Sequence, residues 1–269
     1  MTIKDILVYI DDTARSDVRL AVAANLAARH DAHLIGLRVR SFPPVDVFTP
    51  YPGGLMELGA PIVERMRAEN RELTAALEAR FEDRLRRDGI RGEWRSVEGD
   101  ASDMITLHAR YCDLVVVGQR DPAFEGGYGV AEISVASLMA AGRPLLVVPY
   151  AGSFEKLGDH VLVAWNGSAE SARAVNDAIP LLRVAKKVTV LAINPRRGID
   201  GDGDLPAVDI ALHLARHDIN AEAAHIITGE VNEGDALLSY AADIGADRIE
   251  IYTGPYAQAF ARGDHGRAL

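Results

Sequence analysis

Ile6-Leu7-Val8-Tyr9-Ile10-Asp11-Asp12-Thr13-Ala14-Arg15-Ser16 lies near the start of the chain, and a shift of 155 residues gives Val161-Leu162-Val163-Ala164-Trp165-Asn166-Gly167-Ser168-Ala169-Glu170-Ser171. Each is an apolar run, then a small polar turn, then a serine just inside a helix. An Ala-rich helix follows each, Val18 to Arg29 and Ala172 to Leu182. A second apolar run comes next, His33 to Val39 and Lys187 to Ile193. A β-turn-α-β order that occurs twice is an internal repeat of the α/β kind, with parallel pairing and right-handed crossovers.

The repeat extends outward. Asp103 to Tyr111 and Asp235 to Asp243 read as short amphipathic helices that lead into Asp113 to Gly118 and Asp247 to Tyr252. The first of these strands is a continuous apolar run, as a central parallel strand requires. The second carries charges at alternate positions and reads as less buried. Two doubly wound domains are expected, over 1–150 and 158–269, joined by the short polar stretch Ala151 to Leu157. The first half alone has an insertion, Phe42 to Pro61 with five prolines, which feeds a long helix from about Ile62 to Asp88. Met66, Leu73, Leu77, Phe81 and Leu85 form its apolar stripe, read as packing. The first half continues past Gly118 through a helix, Ala131 to Ala141, to a last strand, Pro144 to Pro149. The second half has no counterpart of that helix and strand after Gly254.

The 269 residues carry a net charge of −10, against the basic footprint that nucleic acid requires and against docking on anionic membranes. No apolar run is long enough to span a bilayer, and no signal-peptide core precedes the first strand. One cysteine, Cys112, excludes a disulfide framework and reads as inert packing; a reducing cytoplasm fits.

Ligands of open parallel sheets bind outside the carboxyl ends of the strands. Asp11 and Asn166 stand there, able to meet a nucleotide's ribose or base or to help hold a metal on its phosphates; the alternative is helix capping by Asp12, Thr13, Gly167 or Ser168. Gly126, Gly127 and Gly129 precede a helix and can offer backbone N–H groups to phosphate, or form a flexible loop. The P-loop pattern is absent, and so is a dinucleotide fingerprint after the first strand. His213 and His217 share a helical face but lack a third metal ligand, so a solvated face is the simpler reading. Ser134 and Ser137 have no histidine partner in the pattern. Trp165 reads as packing, and Arg84 to Arg87 as a solvated helix face.

The doubled pattern resembles the universal stress protein family in its tandem form. It is carried by Ile6 to Asp11 with Ser16, Val161 to Ser168 with Ser171, Asp113 to Gly118, and Arg143 to Pro149. The resemblance implies two parallel sheets of order 3-2-1-4-5, the second domain lacking its last helix and strand. It also implies pairing through the last strand, as a homodimer or an intramolecular pseudo-dimer. Many members bind ATP, with an Asp after the first strand and a Gly-x-x-Gly and Gly-Ser/Thr loop after the fourth. The implied site residues are Asp11, Val39 and Gly118, with the Gly126, Gly127 and Gly129 backbone near the phosphates, and Asn166, Ile193 and Gly254 as a second set. ATP, with Mg, is the implied cofactor. The loop departs from the family pattern at Asp121, where a glycine is expected. Read one base later, Gly263-Asp264-His265 permits Gly-Ile-Thr, so a frameshifted tail is one reading of the ending. A stress-response nucleotide-binding or protein-interaction module is expected. The alternatives are a dimerisation scaffold without nucleotide and a weak ATP-hydrolysing or adenylating enzyme.

Overall fold

The computed structural model of the chain describes residues 2–40, 56–119, 141–154, 157–195, 207–246 and 250–251. By its contacts the chain divides into two compact units, Lys4–Arg143 and Pro144–Leu269, the latter with the first three residues.

In the first unit the elements run β1 (Asp5–Tyr9), α1 (Ser16–His30), β2 (His33–Arg40), α2 (Met56–Asp88), β3 (Gly92–Glu98), α3 (Ala101–Ala109) and β4 (Leu114–Gly118). Their strand order is β3-β2-β1-β4, all parallel, with Val8 opposite both Gly36 and Val116. The apolar runs of β1 and β4 are buried because strands flank β1 on both sides and helices cover the sheet; Ile6, Leu7, Val8 and Val115 to Val117 have no exposed surface. α1 buries Leu20, Val22, Ala23, Ala24, Leu26 and Ala27, and sets Asp17 in its first turn and Arg29 and His30 in its last, as the helix dipole favours. Asp113 pins the start of β4 to the start of β1 by accepting from the Lys4 and Asp5 N–H groups at 2.7 and 3.1 Å.

The long helix α2 keeps its stripe only in part: Leu77 and Phe81 are buried, whereas Met66, Leu73 and Leu85 are half-buried. Phe81 lies over Gly36 of β2 and against Trp94 of β3, the ring centroids of the aromatic pair 5.6 Å apart. β3 is not evident in the sequence. Its Glu93, Ser96 and Glu98 are exposed and its other residues are only half-buried, so it lacks a continuous apolar run.

The second unit holds β5 (Leu145–Val148), β6 (His160–Trp165), α4 (Ala169–Leu182), β7 (Lys187–Ile193), α5 (Val208–Ala215), β8 (Ala221–Ile226), α6 (Glu233–Asp243) and β9 (Glu250–Ile251). Among the described residues its parallel sheet has three strands, β6-β7-β8. Val175, Ile179 and Leu182 of α4, Val188 and Val190 of β7, and Leu214 of α5 form its core, with Trp165 packed against it. The segment read as a fourth strand of this half contributes β9, which pairs antiparallel with β5, Leu146 opposite Ile251. Its alternating charges suit an edge position better than a central parallel strand. Within the first unit the strand order β3-β2-β1-β4 is the one the resemblance implies for those strands.

A side chain at Gly36 has no room: its Cβ would stand 2.8 Å from the Phe81 ring. Gly36→Val is expected to destabilise the protein by about 1–3 kcal/mol in urea unfolding, through overpacking. An unchanged midpoint would show that Phe81 is not fixed there.

Candidate functional site

The chain leaves β1 for β2 on one side and returns through α3 to β4 on the other. That reversal makes the carboxyl ends of β1 and β4 a topological switch point, where backbone groups and side chains converge without a crossing connection. Asp11 stands two residues past the end of β1 and is 9% exposed. Val39 is buried near the end of β2, and Gly118 closes β4. The structure therefore brings these three expected residues to one edge of the sheet.

Asp11 is fixed by its own turn. Its Oδ1 accepts from the Thr13 N–H at 3.0 Å and from the Thr13 hydroxyl, while its N–H donates to the Ser16 hydroxyl. The capping alternative fails at this helix: the residue before α1 is Arg15, with no side-chain cap, and Thr13 is committed to Asp11. At α4 it succeeds, because the Ser168 hydroxyl accepts from the Ser171 N–H at 3.1 Å. Asn166 repeats the Asp11 turn, its Oδ1 accepting from the Ser168 N–H at 3.1 Å, but Asn166 is exposed. Among the described residues β6 is paired with β7 alone, whereas β1 is flanked on both sides, so the same turn is buried in one half and open in the other.

Arg19 was not legible as a site residue. It is 4% exposed, and its Nη2 stands 2.6 Å from Asp11 Oδ1 without the alignment of a hydrogen bond. Its Nε donates to the Tyr9 carbonyl at 3.2 Å, and the guanidinium stands 5.9 Å from the Tyr9 ring centre. Gly118 has a packing role as well: a Cβ there would meet Arg19 Nη1 at 2.5 Å. Arg38, next to Val39, is 6% exposed, and its Nε is buried with no hydrogen-bond partner. Arg38 interrupts an otherwise apolar run, a signal that was available in the sequence.

Ile193 ends β7 in the second unit. Asn194, just after it, ties that end to the next strand: its Oδ1 accepts from the Thr228 N–H and its Nδ2 donates to the Thr228 hydroxyl, both at 2.9 Å. Gly126, Gly127, Gly129, Gly254, Asp121, Ser134, Ser137 and the tail lie outside the described residues. Cys112 is 1% exposed, and burial pushes its thiol up to about 11, so it is poorly nucleophilic near neutrality. His213 and His217 contact edge to face, centroids 4.8 Å apart; among the described residues no group of three or more potential metal ligands forms. Arg84 and Arg87 pair with Asp88 and Asp83 along α2, as a solvated face does. No described helix is long and apolar enough to cross a membrane.

The Tyr9 phenol is pushed up to about 12, chiefly by burial and then by Asp11, with Arg38 and Arg19 pulling the other way. The folded protein thus holds this proton more tightly than the unfolded chain, whose tyrosines titrate near 10. Its contribution is complete below about pH 10 and is lost as pH rises toward 12, on the order of 2–3 kcal/mol. Urea unfolding between pH 9 and 11.5 should show wild-type stability falling more steeply than that of Tyr9→Phe. Parallel declines would contradict the assignment.

The family model for the universal stress protein family matches residues 2–149. A universal stress protein from Archaeoglobus fulgidus DSM 4304 superposes with a TM-score of 0.62 at 14% identity, covering 90% of this chain and 84% of that one, which shows a shared fold. A universal stress family protein from Burkholderia pseudomallei is 25% identical, with a TM-score of 0.38 over 54% of this chain and 96% of that one. A universal stress protein solved in complex with cAMP is 18% identical, with a TM-score of 0.40 over 55% of this chain and 98% of that one. Among curated proteins, a pyridoxine 5'-phosphate synthase of Xanthomonas axonopodis pv. citri (strain 306) is 39% identical over 80 residues, 26% of this chain; the chain spans less than a third of that relative's length. With its family match running from before β1 to the end of β5 and its sheet order the one the resemblance implied, the chain belongs to the universal stress protein family.

Proposed function

We propose that the first half binds an adenine nucleotide, ATP with Mg, at the carboxyl ends of β1, β2 and β4, and that the protein acts as a stress-response module through interactions this binding controls. The observation that carries the reading is Asp11, a carboxylate buried two residues past the end of a central strand, at the switch point of the sheet. The contacts from Thr13 and Arg19 go to Oδ1, which leaves Oδ2 for a ligand hydroxyl or base N–H. Val39 would flank the base. Gly118 and the backbone of Gly126, Gly127 and Gly129 would lie near the phosphates, following the family resemblance. Asn166, Ile193 and Gly254 are the weaker second set. The same reading takes the chain as a tandem of domains 1–150 and 158–269 that works in the cytoplasm as a homodimer or an intramolecular pseudo-dimer.

A second reading, a scaffold without nucleotide, is favoured by one observation: Asp11 already has an internal counter-ion in Arg19. Calorimetric titration with ATP and Mg²⁺ separates the two. Asp11→Asn keeps the turn, as Asn166 does naturally, but also strips the buried Arg19 of its counter-charge, so binding is compared on variant protein shown by circular dichroism to be folded. It is expected to weaken ATP binding at least tenfold, about 1.4 kcal/mol. No heat from the wild-type protein at millimolar ATP would overturn the nucleotide reading.

A further inference from the structure

We infer that Asn166 is a site of spontaneous covalent modification: it loses its side-chain amide through a cyclic imide with Gly167, and a neutral residue becomes aspartate or isoaspartate. The inference is independent of the nucleotide reading. Of the seven asparagines in the chain, Asn166 alone is followed by glycine. Both residues are exposed, and Gly167 has a φ of 72°.

The step needs nothing but water. The Gly167 backbone nitrogen attacks the Asn166 Cγ, and a C–N bond forms as the nitrogen's proton passes to water. The bond from Cγ to the side-chain nitrogen breaks, and that nitrogen leaves as ammonia. The five-membered imide then takes up water at one carbonyl or the other. One opening gives aspartate. The other gives isoaspartate, whose main chain runs through the side-chain methylene.

The fold presents the pair for this step. The Asn166 Oδ1 accepts from the Ser168 N–H at 3.1 Å, and the ring so closed contains both Cγ and the Gly167 nitrogen. The same hydrogen bond steadies the negative oxygen that forms on attack, as a backbone N–H does at any developing oxyanion. Ser168 caps α4, whose amino end adds its partial positive charge. Glycine has no Cβ to obstruct the approach of its nitrogen. Asn232 makes the same turn at the start of α6, its Oδ1 accepting from the Gly234 N–H at 2.7 Å, but Glu233 follows it. Asn194 precedes proline, whose nitrogen has no proton to lose.

The aspartate product suits the turn, because Asp11 holds the same one in the first unit. It gives the end of β6 the carboxylate that the first unit has past β1. Ala174 stands where the first unit has Arg19, so α4 offers no guanidinium from that position to the new charge. The isoaspartate product lengthens the backbone and releases the Ser168 N–H. The age of the molecule therefore alters the charge and shape of this turn.

The experiment ages folded, full-length wild type and Asn166→Asp for weeks at body temperature and mildly alkaline pH. Ion exchange and mass spectrometry of proteolytic peptides follow the conversion. Wild type is expected to form acidic species, with conversion at Asn166 at least tenfold that at Asn232, and Asn166→Asp to form none. Conversion at Asn166 no greater than at Asn232, or acidic species arising equally fast in Asn166→Asp, would overturn the inference. Hydroxylamine, which cuts the chain at the imide, reads the intermediate directly. Cleavage between Asn166 and Gly167 in the folded protein supports the site. Cleavage only in the urea-unfolded chain shows that the fold keeps the pair unreactive, and overturns it.

Discussion

The buried pair of Asp11 and Arg19 is the constraint on which the first sheet's functional edge depends. A charge taken out of water must find an opposite charge or hydrogen bonds, and removing one partner of such a pair costs about 3–5 kcal/mol. Several local choices follow from that demand. Thr13 donates twice to Asp11, the Tyr9 carbonyl accepts from Arg19, and β4 ends in a glycine because the Arg19 guanidinium occupies the place of a side chain. Gly118, which a family pattern ties to phosphate, thus has a second reason to be glycine that involves no ligand.

The two halves begin from the same turn and diverge in what surrounds it. Asp11 and Asn166 each hold an N–H two residues on. In the first half β1 is flanked by β2 and β4, and an arginine from α1 supplies the counter-charge. In the second, the residue at the position of Arg19 is Ala174, the turn residue is neutral, and it is exposed. The end of β7 is closed by Asn194 and Thr228 rather than left open. The asymmetry is electrostatic as well as topological, and it favours the first half as the ligand site.

The fold was legible where burial is two-sided. β1, β2 and β4 are nearly pure apolar runs because both faces of the sheet are covered, and the repeat then made the α/β order plain. β3 and β8 escaped notice because one face or edge of each meets solvent: Glu93, Arg95 and Glu98 break the first, and Glu222 and His225 the second. The position of Asp11 was readable, since it follows an apolar run directly. Its partner was not. Arg19 sits in an Ala-rich helix, where an arginine ordinarily faces water, and only the packing of α1 on β1 and β4 reveals that it is buried. Arg38 could have been noticed, because a charge within a continuous apolar run needs a partner, but its position on the sheet edge required the β1–β2 register.

The central claim is that ligand recognition belongs to the charged edge of the first sheet. The most direct measurement is a two-dimensional NMR titration of the labelled protein with ATP, following backbone amides and arginine Nε–H signals. The account predicts shifts at Asp11, Val39 and Gly118 and at the Nε–H of Arg19 and Arg38, with Asn166 and Ile193 little changed. Shifts centred on Asn166 and Ile193, or none at millimolar ATP, would contradict it.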